Sequence, residues 1–490
     1  MATTLPPVIE TLAPEIGAYS FRDEAILGTR LRLLLVAANQ SVARAAALAA
    51  RAEIDRLARI LDTRRADSEL SLLNRSREHR ASEELFTVVA LAERWRRASC
   101  GAFSGRLGRV IDLWQAAVDR APERRDAQRL AREAESAIVE LEPETRTIVR
   151  PEAVQFALDG IAKGWIVDRA FEAAMSTPGV RGALVNIGGD IRAGGEPPSA
   201  DGWHIGIPDP QLPFDNAPLV ATSRLKEHAM ATSGRGPRDR VIGDQRFSPT
   251  LSPLDGWPVA HHVSASVIAK TAADADALAT AMLVLSDVQA LALAGQHGAS
   301  VRLAMNDGST RSTARDGAAN FVDARTDGAA SPQSTPATWQ PGWQALATFT
   351  APRRQLIRDP QFRSPYMAMW ITDLDNKPIR TLILVGKRAD WQKDNFIWWS
   401  MNRPATERLV ATRSMSTSAA GVYNVFWDGV DDAGNPVPAG TYVLHVETSR
   451  ERGKHTYRSL TLDFGRFQRF VAELPPTEEG GGLRVSFDHY

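Results

Sequence analysis

The sequence holds a single cysteine, Cys100, which excludes an intramolecular disulfide framework and a cysteine-based metal cluster. A lone cysteine of this kind is expected as a small buried residue. Charge of one sign is also missing. Lysine plus arginine total 58 and aspartate plus glutamate total 58, so no basic surplus argues for nucleic acid, and a polyphosphate ligand would need a local site. No apolar run, that at 31–38 included, approaches the length of a membrane span. Residues 1–15 carry three prolines and two glutamates and lack the basic-then-apolar pattern of a secretory signal, so no export signal is expected. What is present, 43% hydrophobic and 24% charged residues in a chain of 490, is the composition of a soluble globular protein too long for one core. Two domains and a linker are expected.

The pattern along the chain predicts a strand at 30–37, helices at 41–62 and 83–99, and an arginine- and acid-rich solvated helix within 112–142, to which no chemistry is assigned. Beyond Pro151 short apolar runs at 182–187, 203–207 and 263–269 read as buried strands, and 272–286 as a helix. Strand and helix in succession give an α+β core. Residues 311–341 turn to Ser, Thr, Asp, Gly and Pro, which bury too little to fold alone and read as a linker. After Trp339 strands are predicted at 344–350, 366–372, 381–385, 421–427 and 441–447, an all-β sandwich. The turn-rich stretch between Trp427 and Tyr442 reads as a hairpin, and 475–482 as loose chain.

Four segments carry potential chemistry. Asp276 and Thr280, four apart on a helix, share one face and offer hard oxygen ligands suited to Mg²⁺. Residues 159–168 lead from a turn into a helix, with Gly160 and Gly164 permitting close backbone approach and Lys163 able to meet a phosphate. Gly188, Gly189 and Asp190 follow a strand directly, and Ala231, Thr232, Ser233 and Gly234 present amides and hydroxyls to an anion. Each alone also fits a surface pair, a helix start or a plain turn.

Taken in order, these segments resemble the ApbE family of FAD:protein FMN transferases. The resemblance covers about residues 20–325 and rests on the stretch 68–74, on Gly101, Ala102 and Phe103 before Leu113 and Trp114, and on 160–168. It continues through 186–190, Trp203 with Pro210, 231–234 and 275–280. It implies a Mg²⁺-dependent transfer of FMN from FAD to a threonine or serine of an acceptor protein, with release of AMP. It further implies Gly160, Asp276 and Thr280 as metal ligands, Asp276 and Lys163 as catalytic residues, and Ala102, Phe103, Ser104, Lys163 and Leu251 as FAD contacts. Residues 326–340 are then the linker, 341–465 an Ig-like β-sandwich, and 466–490 a tail. The sandwich resembles a predicted periplasmic domain attached to these transferases, which implies an extracytoplasmic location, and its residues 410–413 retain part of an FMN-acceptor motif centred on Thr412.

The sequence also departs from the family pattern. Where the family has a histidine and an aspartate, the loop reads Pro249 to Gly256 without them, with His261 and His262 a few residues on as possible replacements. Ser104 stands for an aspartate, Arg64 for an aromatic, Ala157 for an aspartate and Leu27 for a methionine. A flavin-binding relative without turnover, or an envelope scaffold, are the competing expectations.

Overall fold

The computed structural model describes residues 8–13, 17–199, 202–210, 219–235, 239–243, 245–313, 321–323, 339–340, 342–351, 366–386, 393–402, 409, 414–415, 422–449, 455–477 and 481–489. These fall in two compact units, one ending at Asp323 and the other beginning at Trp339. Thr412 and most of the expected linker lie outside the described residues.

The first unit is α+β. Its centre is a nine-stranded antiparallel sheet in the order Val8–Ala13, Ala18–Ile26, Thr29–Ala37, Val180–Ile187, Asp190–Gly195, His228–Gly234, His262–Ala269, Ser300–Met305 and Thr310–Ser312. The pleat sends alternate side chains to opposite faces. Leu33, Leu35, Val185 and Val267 meet the helices on one side. Leu34, Val36, Leu184 and Met230 meet Trp203, Ile205 and Leu225 of a small three-stranded sheet on the other. Because both faces are covered, the strand His262–Ala269 is buried along its whole length, which is why such strands read as continuous apolar runs.

Two helices on the first face, Asp159–Met175 and Ala272–Met282, cross at Gly164. A Cβ on Gly164 would stand 2.2 Å from the Ala272 carbonyl oxygen, so only glycine permits this approach. The crossing is stitched by carboxylates. Asp168 accepts hydrogen bonds from the Ala272 and Ala273 amides at 2.8 and 3.0 Å, satisfying two free donors at that helix start. The second helix is shorter than expected: it ends at Met282, and Ser286 with Gln289 forms a capping box that starts a new helix, Asp287–Gln296.

The region 112–142 also differs from expectation. It contains the end of the helix Gly108–Gln115 and the helix Arg124–Ser136, whose Ala127, Leu130, Ala131 and Ala134 are buried. The charged residues concealed an apolar stripe at helical spacing. Cys100 is exposed rather than buried, because it takes a left-handed conformation (φ 52°) in the turn closing the helix Glu83–Ala98.

The second unit has a four-stranded sheet, ordered Val422–Trp427, Trp343–Thr350, Gly481–His489 and Phe470–Thr477. Its five-stranded sheet runs Ser414–Met415, Pro378–Val385, Tyr366–Thr372, Thr441–Ser449 and Thr456–Asp463. Both contribute to one core around Trp339, Phe349, Trp427, Phe464 and Phe487. Three expectations are overturned here. Val422–Trp427 and Thr441–Ser449 belong to different sheets, so the stretch between them is a crossover and not a hairpin. Gly429 (φ 78°) serves that crossover by leaving room for Trp339, whose ring a Cβ would meet at 2.2 Å. Residues 466–490 are no tail, since Phe470–Thr477 and Gly481–His489 pair with each other and the latter with Trp343–Thr350. The supposedly polar 311–341 stretch includes Phe321–Asp323, which pairs with Leu219–Leu225 of the first unit; edge strands this short carry little hydrophobic signal.

Gly164→Ala is expected to lower the unfolding midpoint of the first unit, at a cost of about 2 kcal/mol for forcing the helices apart. Thermal unfolding followed by circular dichroism checks this; an unchanged midpoint would contradict the tight crossing.

Candidate functional site

The helix crossing places Asp276 next to the first turn of Asp159–Met175. Its Oδ2 accepts the Gly164 amide at 3.2 Å, and the side chain is buried. One turn on, Thr280 Oγ1 lies 3.4 Å from Ser233 Oγ and would stand 3.0 Å from a Cβ placed on Gly160. Gly160, Asp276 and Thr280 thus gather at one point, with Ser233 arriving from the strand His228–Gly234.

Lys163 and Asp190 complete this group. Lys163 Nζ is 2.7 Å from Asp190 Oδ2. Asp190 follows a two-residue turn whose Gly188 and Gly189 both have positive φ (59° and 100°), joining Val180–Ile187 to Asp190–Gly195; glycines suit a turn of this hand. Burial and the neighbouring Asp190 charge push Asp276 well above the usual carboxylate range, against the opposing pull of Lys163. Two carboxylates in hydrogen-bond contact need a shared proton or a cation between them. The donors present, a carboxylate, a hydroxyl and a helix-start carbonyl, are the hard oxygens that Mg²⁺ takes, and the strained charge of Asp276 is what a dication would relieve.

Two clefts lie among the described residues, and neither is lined by Ala102, Phe103, Ser104, Lys163 or Leu251. The first, about 360 Å³, is lined by Arg96, Arg97, Gly101, Arg132, Glu135 and Leu254, among others. Here the segment bearing Ala102, Phe103 and Ser104 meets the altered loop. Phe103 is buried with its ring 3.4 Å from the Cβ position of Gly160, and Ala102 is buried beside it. Ser104 Oγ donates to Glu135; burial raises the Glu135 carboxyl above its ordinary value. The second cleft, about 290 Å³, is lined by Leu27, Gly28, Asp62, Arg64 and Arg65, among others, and Arg64 Nε donates to Asp62 Oδ1 at 2.8 Å. Both clefts carry arginines although the chain as a whole is neutral.

Leu251 packs with Leu107, Val110, Trp114 and Trp257, in a loop held by Trp114 Nε1 donating to the Gly256 carbonyl at 2.9 Å. His261 and His262 meet Asp287 at the start of the strand His262–Ala269. Sequence reasoning named neither Asp190, Ser233 nor Glu135 as site residues. The first two lie inside segments already singled out for potential chemistry, the second of them for its amides and hydroxyls; Glu135 was hidden among the charges of a helix read as solvated.

A family model described as the ApbE family matches residues 27–303. A second, described as "Predicted periplasmic protein (DUF2271)", matches residues 349–481. The chain is 31% identical over 254 residues to the FAD:protein FMN transferase of Vibrio cholerae, spanning 49% of this chain and 75% of that one. It is 29% identical over 255 residues to that of Haemophilus influenzae, spanning 50% and 73%. The crystal structure of the ApbE protein from Thermotoga maritima superposes with a TM-score of 0.54 at 26% identity, covering 60% of this chain and 96% of that one. The apo form of the Pseudomonas stutzeri flavinyl transferase ApbE shares the fold, with a TM-score of 0.52 at 24% identity over 63% and 95% of the two chains.

Lys163→Met is expected to destabilise the first unit by about 3 kcal/mol, because it strands a buried Asp190 charge. Lys163→Met with Asp190→Asn together is expected to recover most of that loss. Chemical denaturation of the three proteins checks this; equal midpoints for the single and double variants would refute the pairing.

Proposed function

Because the chain belongs to the ApbE family, whose model spans more than half of its length, we propose that it is an FAD:protein FMN transferase. In this reading it moves FMN from FAD to a threonine or serine hydroxyl of an acceptor protein. The acceptor oxygen forms a bond to the FMN phosphorus, the pyrophosphate bond to AMP breaks, and the hydroxyl proton is lost as AMP leaves. Such a transfer needs little covalent help but requires positioning and positive charge on the pyrophosphate.

The single observation carrying the proposal is the convergence of Asp276, Thr280 and Gly160 beside the Lys163–Asp190 pair. Asp276, Thr280 and the Gly160 carbonyl would hold Mg²⁺, which when bound neutralises phosphate charge. Asp190 keeps the Lys163 side chain fixed beside that point. In this reading Arg97 and Arg132, which line one cleft, offer further cations to the phosphates. Phe103 packs against Gly160 from the apolar core. A periplasmic location is proposed from the description attached to the second unit's family.

A second reading, flavin binding without turnover, is favoured by one feature. The loop Pro249 to Gly256 offers Leu251 to an apolar cluster, and its Asp255 is engaged by Arg124 at 3.0 Å, so the loop brings no free base.

The deciding assay mixes the purified chain with FAD, Mg²⁺ and a peptide bearing an acceptor threonine, and reads AMP and peptide mass together. Both signals are expected. Bound flavin with neither AMP nor modified peptide would favour the second reading. Asp276→Ala should cut turnover by at least about 100-fold, through loss of several kcal/mol of metal-borne stabilisation, while the fold, by circular dichroism, is retained.

The raised Asp276 carboxyl makes a further outcome specific. A carboxyl held above its ordinary value adds stability below that value and loses it as pH rises through the raised one. A dication needs the ionised form, so its binding releases the proton and strengthens with pH. The rise in melting temperature produced by Mg²⁺ should therefore grow as pH is raised from the ordinary carboxylate range upward; a rise that shrinks with increasing pH would argue against Asp276 as the ligand.

A further inference from the structure

A second group of potential ligands lies outside the Asp276 cluster. His262 opens the strand His262–Ala269 and is 1% exposed, and neither of its ring nitrogens makes a hydrogen bond of normal geometry. His261 precedes it in a bend, free of strand alternation, so both rings turn to the same side. They meet edge to face with centroids 4.5 Å apart. Opposite them stands Asp287, the first residue of the helix Asp287–Gln296. Its Oδ1 is 3.3 Å from His261 Nε2 and 3.4 Å from His262 Nε2.

These separations have a chemical meaning. Hydrogen bonds between imidazolium and carboxylate close to about 2.8 Å, and these are longer. Ligands held at about 2.05 Å around a tetrahedral Zn²⁺ stand about 3.4 Å apart, the edge of that tetrahedron. Two of the three edges already have this length, and all three ligand atoms lie within 4.8 Å of one another, so a small turn of the exposed His261 ring would close the third.

The surroundings fix the ligands from behind. Arg311 approaches the other carboxylate oxygen, Oδ2, at 3.9 Å, leaving Oδ1 to the histidines. Asn306 Nδ2 donates to the Ala260 and His261 carbonyls at 2.6 and 3.1 Å, pinning the backbone from which both rings extend. Such outer contacts commonly orient metal ligands.

We propose that His261, His262 and Asp287 form a binding site for a borderline divalent transition metal, with Zn²⁺ the type case, separate from the hard-oxygen site at Asp276. Two imidazoles and one carboxylate suit Zn²⁺ or Co²⁺ and disfavour Mg²⁺, which takes oxygen ligands in a near-octahedral shell. Three protein ligands leave a fourth position for water or a substrate oxygen.

The test uses the full chain, freed of any purification tag and stripped with a chelator. Zn²⁺ uptake is measured by equilibrium dialysis with excess Mg²⁺ present, and Co²⁺ uptake by its visible absorption. One equivalent is expected, with the intense bands of a four-coordinate Co²⁺ centre. His261→Ala and Asp287→Asn, both at partly exposed positions, should weaken binding by at least about 100-fold, since loss of a direct ligand exceeds that of an outer contact. Asp276→Ala should leave it unchanged. Absence of stoichiometric uptake, uptake indifferent to His261→Ala and Asp287→Asn, or uptake lost in Asp276→Ala would each overturn the assignment. The readout is metal binding alone, so it stands or falls independently of FMN transfer.

Discussion

The first unit depends on the close crossing of two helices at Gly164. With no side chain there, the backbone of Asp159–Met175 comes against the Ala272 carbonyl, and two carboxylates bridge the contact in opposite directions. Asp168 reaches forward to cap the second helix, and Asp276 reaches back to the Gly164 amide. The grouping around Asp276 follows from this register. It sets Thr280 against Gly160 and brings the strand His228–Gly234 close enough for Ser233 to join them.

Burying a carboxylate at such a crossing is unfavourable unless a cation or proton accompanies it. Asp190 pairs with Lys163, whereas Asp276 makes no ion pair as close among the described residues and is pushed above the usual carboxylate range by burial and by Asp190, against the pull of Lys163. This imbalance is what the proposed metal ion would relieve. The neutral net charge of the chain conceals it, as it conceals the arginines collected in the two clefts.

The second unit obeys a different constraint. Its sheets are joined through a core of aromatic rings, Trp339 contacting Trp427, Phe464 and Phe487 at centroid distances of 4.7, 5.2 and 5.6 Å. Gly429 in the crossover exists to admit Trp339. The Trp-Asp-Gly sequence there reflects packing geometry and needs no ligand to account for it. In the same way the altered loop at Pro249 to Gly256 retains its shape through Trp114 and Gly256 although its titratable residues differ from the family pattern.

Much was legible from residue order alone. The period of apolar residues located the main helices and strands, and the i, i+4 relation of Asp276 and Thr280 placed both on one helix face, because those features depend on near neighbours in the chain. Sequence by itself also determined the family, through the order of its short motifs. What only the tertiary structure decided were relations between distant segments: that Asp190 serves Lys163, that Glu135 turns inward to Ser104, that His261 and His262 face Asp287, and that the Trp427–Tyr442 stretch crosses between sheets. Strand pairing and buried charge are set by which surfaces meet, and a local pattern of residues carries no record of the partner it will meet.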